Sequence, residues 1–539
     1  MRVDFTQLRR MWEMKKTKLL TLGLVAGMAV PLVACGSKGG GGTTVSGEKS
    51  FVYGTTAYNE ENWDAGLNPH VSYSGWSTLR YGVGETLFKY SDSMEVHPWL
   101  AKGYEYIDNT HCKITLRDGV KFSSGRTMDG QAVKECLDDL VAKHDRAPSE
   151  LNIKNIVAEG NTITIETTAP NPTLVNALAD PYGCIIDMKY GQGGVKDASV
   201  PSTEFIVAGT GPYVAQTCTP TQIELTKNNE YWGSEKPKID KLTVKSITDG
   251  STMTAALQSG QIDAAYGLPY ASYPTFENSS YNISSVATSR QFFGKMNFQS
   301  EVMKDKAVRK AISMGIDKEG FVKTLLGGHG ETSVGPFLKS FKFGDNTVKA
   351  ESFDIEGAKK VLEDAGWKDS DGDGIREKDG KKLTVNWLTY PSRQELPLLA
   401  ESAQASLKKV GIDVQVNCTA NSKEFWKKGQ YDIYVSAMVT APTGDPAYFF
   451  NTHALSTSTS NYEKYSNEKL DGLAKELATE FDVGKRSKLA TQMSQILLDD
   501  NAYVFASHLQ MSLVSKSNVK GLVAHPCDYY EITAELDKK

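Results

Sequence analysis

Three aspartates at alternating positions form the first candidate for chemistry in this sequence. Asp369, Asp371 and Asp373 occupy the first, third and fifth positions of a calcium-loop pattern, with Gly374 at the sixth. The twelfth position, which should supply a bidentate glutamate, is Gly380. Without that ligand, a polar turn explains the aspartates better than a calcium site does. The sequence therefore predicts no metal ligands here.

The other reactive side chains form no catalytic pattern. The histidines include no His-x-His or His-x-x-x-His pair, so a zinc site would need the fold to gather them. The cysteines include no Cys-x-x-Cys pair, and their connectivity cannot be deduced from spacing. Gly-x-Ser-x-Gly, Walker and His-Glu-x-x-His motifs are absent from the sequence. We therefore predict a protein that is not an enzyme and that uses no cofactor.

One cysteine, Cys35, lies in a context that predicts lipidation. Lys15, Lys16 and Lys18 precede an apolar run at residues 19–33, which is the layout of a secretory signal. The run is shorter than the roughly 20 helical residues that span a bilayer. With Cys35 at the cleavage point, the segment resembles a bacterial lipoprotein signal, although a plain secretory signal has the same layout. The resemblance implies diacylglycerol on Cys35 and a protein anchored on the outer face of the cytoplasmic membrane.

Length and charge exclude some classes of protein. A chain of 539 residues is too long for one hydrophobic core, so two or three domains are expected. Hydrophobic residues make up 40% and charged residues 23%, as in an ordinary globular protein. The formal net charge is −5, which argues against nucleic acid as a partner because phosphate neutralisation needs a basic surface. We expect a monomer.

The elements that position any site alternate between strands and helices. Leu383, Val385 and Trp387 alternate with polar residues as in a strand, and a helix is predicted from Pro397. Another strand is predicted at residues 412–416. A strand–helix–strand unit of this kind predicts parallel strands, so the fold class is α/β.

Helix starts and helix faces can also be predicted. Asp129, Asp305 and Asp354 each precede apolar residues at helical spacing and are expected to cap helices. The helix after Asp305 is expected to include Ile316. Apolar residues at helical spacing between 470 and 481 predict a further amphipathic helix that includes Phe481.

Tyrosines and tryptophans cluster between residues 53 and 81, in a stretch rich in loops. Most such side chains are packing residues that are partly buried. The alternative is an aromatic wall of a ligand pocket. Trp76 is our candidate for that wall.

A series of short motifs, in a fixed order along residues 50–539, carries a family resemblance. The motifs are residues 116–125, 209–213, 229–233, 258–264, 308–312, 316–318, 365–367, 371–377 and 444–446. On these residues the chain resembles the extracytoplasmic solute-binding proteins of ABC importers, in the peptide/nickel class known as solute-binding family 5.

The resemblance implies an α/β, two-lobed, hinged periplasmic-binding-protein-like fold (type II, cluster C) with an extra domain inserted in the first lobe. Ligand would lie between the lobes, and hinge closure would bury it. The implied division is: signal peptide 1–34, flexible tether 35–49, lobe I 50–87, inserted domain 88–204, lobe I again 205–292, lobe II 293–499 and a return to lobe I at 500–539.

The resemblance also implies a function. Such a protein captures a small peptide or a metal chelate and delivers it to the subunits of an ABC permease. Peptide binders of this family usually hold the peptide's ammonium with an aspartate shortly before an Asp-Pro pair. Here Ala441 or Pro442 stands at that place, which is closer to the nickel-binding branch, where the metal is captured with small carboxylates. A nickel chelate is therefore the alternative to a peptide, and an exported hydrolase or a surface signalling protein is a remote one.

The resemblance names the candidate ligand-binding residues. Arg146 matches an anion-contacting arginine of the nickel branch, and Arg290 precedes the presumed lobe crossover. A guanidinium suits bidentate capture of a carboxylate. The further cleft candidates are Trp76, Met438 and Thr443.

Overall fold

Two long strands, Tyr281–Met296 and Tyr503–Lys516, run through the middle of the fold and pair with each other antiparallel. The computed structural model describes residues 47–539, and residues 48–539 form one unit. The predicted signal peptide, the predicted lipidation site Cys35 and most of the predicted tether lie outside the described residues.

Strands are numbered here in chain order. They are β1 Ser50–Thr55, β2 Phe88–Tyr90, β3 Val96–Pro98, β4 Ala101–Tyr106, β5 His111–Leu116, β6 Ile153–Glu159, β7 Thr162–Thr167, β8 Tyr213–Cys218, β9 Gln222–Lys227, β10 Lys241–Ser246, β11 Ala264–Tyr266, β12 Tyr281–Met296, β13 Gly330–Thr332, β14 Glu377–Lys378, β15 Lys381–Lys382, β16 Thr384–Thr389, β17 Asp413–Cys418, β18 Ile433–Val439, β19 Tyr503–Lys516, β20 Val519–Lys520 and β21 Asp537–Lys538.

Helices are numbered in the same way. They are α1 Ser74–Arg80, α2 Gly130–Lys143, α3 Ala147–Leu151, α4 Leu174–Ala177, α5 Gly250–Ser259, α6 Tyr273–Phe276, α7 Glu301–Lys304, α8 Lys306–Gly315, α9 Lys318–Gly320, α10 Ile355–Asp364, α11 Glu395–Val410, α12 Ser422–Lys427, α13 Ala447–Phe449, α14 Glu468–Leu477 and α15 Val483–Asp499. Short 3₁₀ or π turns occur at Pro181–Gly183, Ser202–Glu204, Tyr270–Ser272, Phe321–Leu325, Asp345–Thr347 and Phe450–Ala454.

The main sheet is mixed and has 11 strands, in the order β17-β16-β18-β12-β19-β11-β1-β10-β9-β8, with β13 added to β19. The central pair β12 and β19 joins the strands of one lobe (β11, β1, β10, β9, β8) to those of the other (β18, β16, β17, β13). One cluster of buried apolar residues runs from the first lobe and the inserted domain into residues 337–502, and a second cluster lies under β16 and α11 in the second lobe. Any site at the middle of β12 and β19 therefore lies where the two lobes meet.

The predicted strand–helix–strand unit is confirmed by β16, α11 and β17. Strands β16 and β17 pair in parallel, from Thr384 opposite Asp413 to Thr389 opposite Cys418. Val385 and Trp387 are buried on one face of β16, where side chains of α11 cover them. The alternation of apolar and polar residues follows from burial on that face.

A second, antiparallel sheet has the order β4-β5-β7-β6 and lies within the predicted insertion at residues 88–204. Helix α2 packs against it and starts where the sequence predicts, because the Asp129 side chain accepts a hydrogen bond from the Ala132 amide at 2.8 Å. Buried residues of this sheet and of the neighbouring lobe form one continuous core.

The structure corrects two helix ends. The helix capped by Asp305 ends at Gly315, and Ile316 has extended backbone. Helix α14 ends at Leu477, so Phe481 lies in the connection to α15, where Asp482 caps the next helix. Phe481 instead packs edge-to-face on Tyr106 with ring centroids 4.9 Å apart. Its apolar spacing reflects contact with the inserted domain, not a longer helix.

The aspartate-rich segment forms a turn, as the missing glutamate predicts. Asp369 accepts hydrogen bonds from the amides of Gly372 (2.8 Å) and Gly374 (3.0 Å). Lys382 pairs with Asp371 at 2.9 Å and also contacts Asp373. The three carboxylates are exposed, and lysine already offsets part of their charge. Among residues 47–539, no helix is both long and apolar enough to cross a membrane.

Candidate functional site

A cavity of about 210 Å³ lies at the middle of β12 and β19, between the two lobes. We call it the cleft cavity. Its wall is built from helix α1, the end of β11, the β12 segment 288–290, the loop after β16, the end of β18 and the segment 526–529. The side chains that line it include Trp76, Arg80, Tyr266, Arg290, Arg393, Val439, Pro442, Asp528 and Tyr529.

A β-bulge in β12 shapes the cavity. Ala287 pairs with Gln510 and Gln291 with His508, so residues 288–290 stand opposite Leu509 alone. The Thr288 hydroxyl donates a hydrogen bond to the Leu509 carbonyl at 2.9 Å and fixes the bulge. A bulge redirects side chains out of the regular ladder. In this way Arg290 reaches the cavity wall, as its predicted role requires.

Two arginines give the cleft cavity an excess of positive charge. Arg290 and Arg393 both line it, and neither forms a salt bridge with a carboxylate of residues 47–539. Loss of hydration in the cavity, together with the nearby Arg393 charge, lowers the pKa of the Arg290 guanidinium. A guanidinium in such a place is favoured by an anion that makes two hydrogen bonds to it. The pair is therefore suited to a carboxylate on a ligand.

Opposite these arginines, the return segment from the end of the chain supplies a charged wall. Arg80 is 3% exposed and bonds Asp528 at 3.0 Å and Glu531 at 3.1 Å. Tyr53 donates a hydrogen bond to the other Glu531 oxygen at 2.6 Å. Burial raises the pKa of the Glu531 carboxyl to about 7. Arg80 is thus already neutralised, which leaves Arg290 and Arg393 as the cations free to meet a ligand.

Trp76 adds a hydrogen-bond donor to the same wall. Its indole Nε1 is buried and has no hydrogen-bond partner among residues 47–539. The ring packs near Tyr529, with centroids 5.9 Å apart, and Arg80 lies over it at 5.9 Å. An unpaired buried N–H costs free energy, and an acceptor atom of a ligand would remove that cost. The prediction that Trp76 belongs to the cleft agrees with this position.

The size of the cleft cavity limits its ligand. The cavity volume is about 210 Å³. Pockets for drug-sized ligands are larger, at about 300–1,000 Å³. The cavity therefore suits a small acid, a compact chelate or a very short peptide.

Arg146 lies away from the cleft cavity wall. Its guanidinium forms salt bridges with Asp180 at 3.3 Å and Glu150 at 3.4 Å. It also lies over the rings of Tyr73 (5.6 Å) and Tyr182 (5.2 Å). Two carboxylates pair with its terminal nitrogens, while its buried Nε has no hydrogen-bond partner within residues 47–539. Its predicted role stays a prediction.

The segment before Asp445 lines the cavity with residues other than the predicted Met438 and Thr443. Val439, opposite Arg290 in the β12–β18 ladder, and Pro442 line the cavity. Met438 is paired with Gln291 and packs against the apolar core, because successive strand residues face opposite sides. The Thr443 carbonyl accepts a hydrogen bond from Asn176 Nδ2 of the inserted domain at 2.9 Å.

Sequence reasoning missed Arg393, Arg80 and Asp528. Arg393 could have been found, because it follows the carboxyl end of β16, where open α/β sheets bind ligands. Arg80 is the last residue of a short helix, and Asp528 lies far along the chain, with φ of +56°. Neither carries a local pattern that marks a site.

The protein offers few metal ligands in the cleft cavity. Within residues 47–539, the side chains that line it include no histidine, and the lining Cys527 is buried, with its pKa raised well above the usual value by burial. A metal ion bound here would depend mainly on ligands that it brings with it. The residues present are suited to the carboxylates of a chelator.

Comparison with known proteins gives the family. Residues 95–461 match the model of the bacterial extracellular solute-binding proteins, family 5. The chain is 27% identical over 457 residues to the nickel-binding protein NikA of Staphylococcus aureus, covering 84% of this chain and 89% of that protein. It is 26% identical over 539 residues to the oligopeptide-binding protein AppA of Bacillus subtilis, covering 96% and 98%.

A solved structure agrees with these matches. The nickel ABC transporter structure from Bacillus halodurans superposes with a TM-score of 0.79 at 30% identity, covering 91% of this chain and all of that one. The likeness confirms the predicted α/β fold with two lobes.

Proposed function

Because the chain belongs to the bacterial extracellular solute-binding proteins of family 5, we propose that its own cargo is a small solute that bears carboxylates. The protein delivers this solute to the permease of an ABC importer. The solute is the chelator of a metal ion, such as nickel, or a very short peptide. The protein binds and releases its cargo without changing it chemically.

One observation carries this proposal: two arginines without carboxylate partners share a cavity of about 210 Å³. Arg290 and Arg393 need an anion that can approach both, and a compact acid does so. The nickel-binding relative and the Bacillus halodurans structure support a chelate as the cargo. In that case the metal is bound by the chelator, and the protein recognises the chelator's carboxylates.

A short peptide is the second candidate, and Asp528 favours it. This carboxylate lies on the cavity wall across from the arginines and is partly exposed. An ammonium group of a ligand could share it with Arg80, while the terminal carboxylate pairs with Arg290. The cavity volume limits such a peptide to two or three residues. The likeness to the oligopeptide-binding protein AppA therefore supports a peptide as the cargo, but a shorter one than an oligopeptide.

Release to a permease needs two states that the permease can distinguish. The strands β12 and β19 cross between the lobes beside the cavity and can serve as the hinge. A ligand that bonds residues from both lobes stabilises the closed state by its differential affinity. Arg393 stands on the lobe II side, and Arg80 and Asp528 stand on the lobe I side, so one ligand can touch both.

We also propose that the protein is a monomer anchored by lipid on Cys35, at the outer face of the cytoplasmic membrane. The family's extracellular location supports export, and the leader pattern supports the anchor. Intact mass of the protein from its native membrane tests this. A Cys35→Ala protein found in the medium instead of the membrane is the expected result.

Native mass spectrometry with metal analysis tests the cargo. We expect the purified protein to carry one small carboxylic acid, with or without one metal ion. A ladder of longer peptides would overturn the proposal. Titration calorimetry then uses citrate, nickel premixed with citrate, and trialanine as probes. The probe that binds most tightly decides between the chelate and the peptide.

Three variants link the binding to the cavity. Arg290→Gln and Arg393→Gln should each weaken the best probe by tenfold or more. Arg126→Gln is the control, because Arg126 pairs with Glu135 and Asp187 within the inserted domain, and it should change the affinity by less than threefold. Equal losses in all three variants would mean that the two cavity arginines have no special role.

A further inference from the structure

A larger cavity lies in the second lobe, away from the cleft cavity, and has a volume of about 770 Å³. Strands β16 and β17 form its floor. Its side walls are the segment 297–302, which follows β12, and helix α12 with the turn at 429–432. We call it the amide groove. It shares no lining residue with the cleft cavity, so the two cavities can be tested separately.

The floor of the amide groove is the face of the sheet opposite helix α11. Val385 and Trp387 are buried against α11, so Asn386 between them faces the other side of the sheet. In the parallel ladder Asn386 stands opposite Gln415, and Asn417 follows two residues later on the same face. All three amide residues are exposed. Three carboxamides therefore lie side by side, on strands about 4.8 Å apart.

These residue types are unusual for the middle of two neighbouring strands. Asn is depleted in strands, where β-branched and aromatic residues are favoured. Both Asn386 and Asn417 nevertheless lie within strands of the main sheet. Residues that contradict the local preference of their element are expected mainly at functional sites. The composition of the floor therefore indicates a role in binding.

Hydrogen bonds within the lobe hold part of the groove in place before any ligand binds. Asp432 accepts hydrogen bonds from the backbone amide and the Nδ2 of Asn386, both at 2.7 Å, and from Ser300 Oγ. The carbonyl of the Asn386 side chain therefore has a fixed direction. Asn297 Nδ2 donates to the Tyr431 carbonyl at 2.8 Å and holds the turn beside α12. Side chains held in this way lose little conformational freedom on binding.

The charges of the amide groove are already engaged. Among the residues 47–539 that the structure describes, its lining includes no lysine, arginine or histidine, so an anion would find no cation there. Of its two carboxylates, Asp432 is buried and bonded by the three donors above, and Glu301 pairs with Lys304 at 2.6 Å. An ionic ligand would lose hydration here without gaining a free partner. The lining therefore favours an uncharged ligand.

Apolar side chains lie beside the carboxamides. Phe425 of α12 is half-buried, as is Val302 of the other side wall, and Val416 is 37% exposed. Trp426 stacks on Tyr434 with ring centroids 5.0 Å apart, and so fixes the helix that carries Phe425. A half-exposed ring next to groups that both donate and accept hydrogen bonds suits a molecule with an apolar face and hydroxyl edges.

We propose that the amide groove is a second binding site and that it takes a neutral oligosaccharide. A sugar hydroxyl both donates and accepts hydrogen bonds, as a carboxamide does, so the floor can pair with several hydroxyls at once. The apolar face of a sugar ring packs on Phe425. An extended peptide is less suited, because its alternate side chains need separate pockets.

The size of the groove fits a short chain of sugar units. Its volume of about 770 Å³ falls within the range of pockets for drug-sized ligands, about 300–1,000 Å³. Binding here is independent of the cargo in the cleft cavity. It would hold the second lobe against an uncharged polysaccharide outside the cytoplasmic membrane.

Titration calorimetry on the purified protein tests this proposal. The neutral probes are maltohexaose, cellohexaose and chitohexaose. Hexagalacturonate carries negative charge, hexaglucosamine carries positive charge, and pentaglycine blocked at both ends is an uncharged peptide. We expect at least one neutral oligosaccharide to bind, and the two charged ones and the peptide to bind at least tenfold more weakly. Salt should have little effect, because no charge pair forms.

The variants compare carboxamides inside and outside the groove. Gln415→Ala and Asn417→Ala should each weaken the best neutral probe by about fivefold, because each removes one hydrogen-bonding group from the floor. Asn421→Ala is the matched control, since Asn421 is an exposed carboxamide beside α12 that does not line the groove, and it should change the affinity by less than twofold. Thermal unfolding of each variant checks the fold.

Several results would overturn the proposal. They are the absence of binding by all three neutral oligosaccharides, equal or tighter binding of either charged probe or of the peptide, and equal losses in Asn417→Ala and Asn421→Ala. Arg290→Gln should leave oligosaccharide binding unchanged. A protein that binds its cleft cargo and no oligosaccharide would thus refute this inference alone.

Discussion

Two cavities share one wall, the return segment at residues 525–530, and they differ in the charge of their lining. The cleft cavity, of about 210 Å³, is lined by three arginines and one aspartate. The outer groove is a cavity of about 1140 Å³ on the outside of the first lobe, where Lys89 and Arg117 lie beside the rings of Trp99 and Trp232 and carboxylates outnumber cations. The first arrangement selects for a compact anion, and the second does not favour an anion.

The physical difference is hydration. A charge that loses water and has no partner is costly, and a matching anion gives back a large free energy. A charge that keeps part of its hydration gains little free energy from each contact, so a tightly bound ligand must make many contacts. The lowered pKa of the Arg290 guanidinium is the sign of the first situation. A change in the cleft cavity should therefore have larger effects than one in the outer groove.

The largest effect is expected from removing both cleft arginines. The double variant Arg290→Gln and Arg393→Gln should weaken the cleft cargo by about 1,000-fold, or about 4 kcal/mol, because a desolvated charge pair is lost. Calorimetry with the best cleft probe measures this.

A loss of less than tenfold in the double variant would contradict the assignment of the cleft cavity.

A second prediction concerns the two buried acids, one beneath each cavity. Burial raises the pKa of Glu85 under the outer groove, and of Glu531 under the cleft cavity, to about 7. An acid whose folded pKa is raised stabilises the fold below its unfolded pKa, near 4.5, and that stability is lost as the pH rises through about 7. For Glu85 alone the change is at most about 3 kcal/mol.

The variant Glu85→Gln mimics the protonated acid and should remove this part of the pH dependence. Urea unfolding at pH 5 and pH 8 measures it in both proteins. We expect the wild type to lose more stability than the variant on going to pH 8, while Glu531 still contributes in both. Identical losses would mean that Glu85 stays ionised, held by its three hydrogen-bond donors.

A structural feature could be predicted from the sequence when the residues that cause it lie close together in the chain. The cap at Asp129 and the parallel pair β16 and β17 follow from residues close together in the chain, and both were predicted. The bulge that brings Arg290 to the cavity depends on the register with Leu509, more than 200 residues later. No local pattern encodes it, and the family resemblance supplied Arg290 instead.

The cleft cavity likewise depends on contacts between residues that are far apart in the chain. Val439 lines the cavity where Met438 was predicted, because strand alternation in β18 decides which neighbour faces inward. Pro442, and not the predicted Thr443, lines it from the segment after β18. Asp528 reaches the cleft only because the chain returns to the first lobe after β19. The outer groove draws on residues 79–118, 212–235 and 521–535, so its ladder of rings and cations becomes visible only in three dimensions.

A third prediction uses the fold's own stability to compare the two kinds of arginine. Arg290→Met should stabilise the empty protein by about 1 kcal/mol, because an unpaired, poorly hydrated charge beside Arg393 is removed. Arg117→Met in the outer groove should bring no gain, since its Nε donates to the Trp99 carbonyl. Urea unfolding without ligand tests both. A destabilised Arg290→Met protein would show that Arg290 supports the fold and is not reserved for a ligand.

The smallest effect is expected from a hydrogen bond between the lobes. Tyr270 Oη, in the first lobe, donates to Glu395 Oε1 at 2.7 Å, and Glu395 begins helix α11 of the second lobe. We expect this bond to break when the lobes open, so that it stabilises the closed state by about 1 kcal/mol. Tyr270→Phe should therefore weaken binding of the cleft cargo by about fivefold through a shift towards the open state.

Tyr281→Phe is the matched control, because Tyr281 packs on Phe276 within the same lobe. Calorimetry with the best cleft probe measures both variants. Equal affinities of Tyr270→Phe and Tyr281→Phe would mean that the bond between Tyr270 and Glu395 makes no difference to closure.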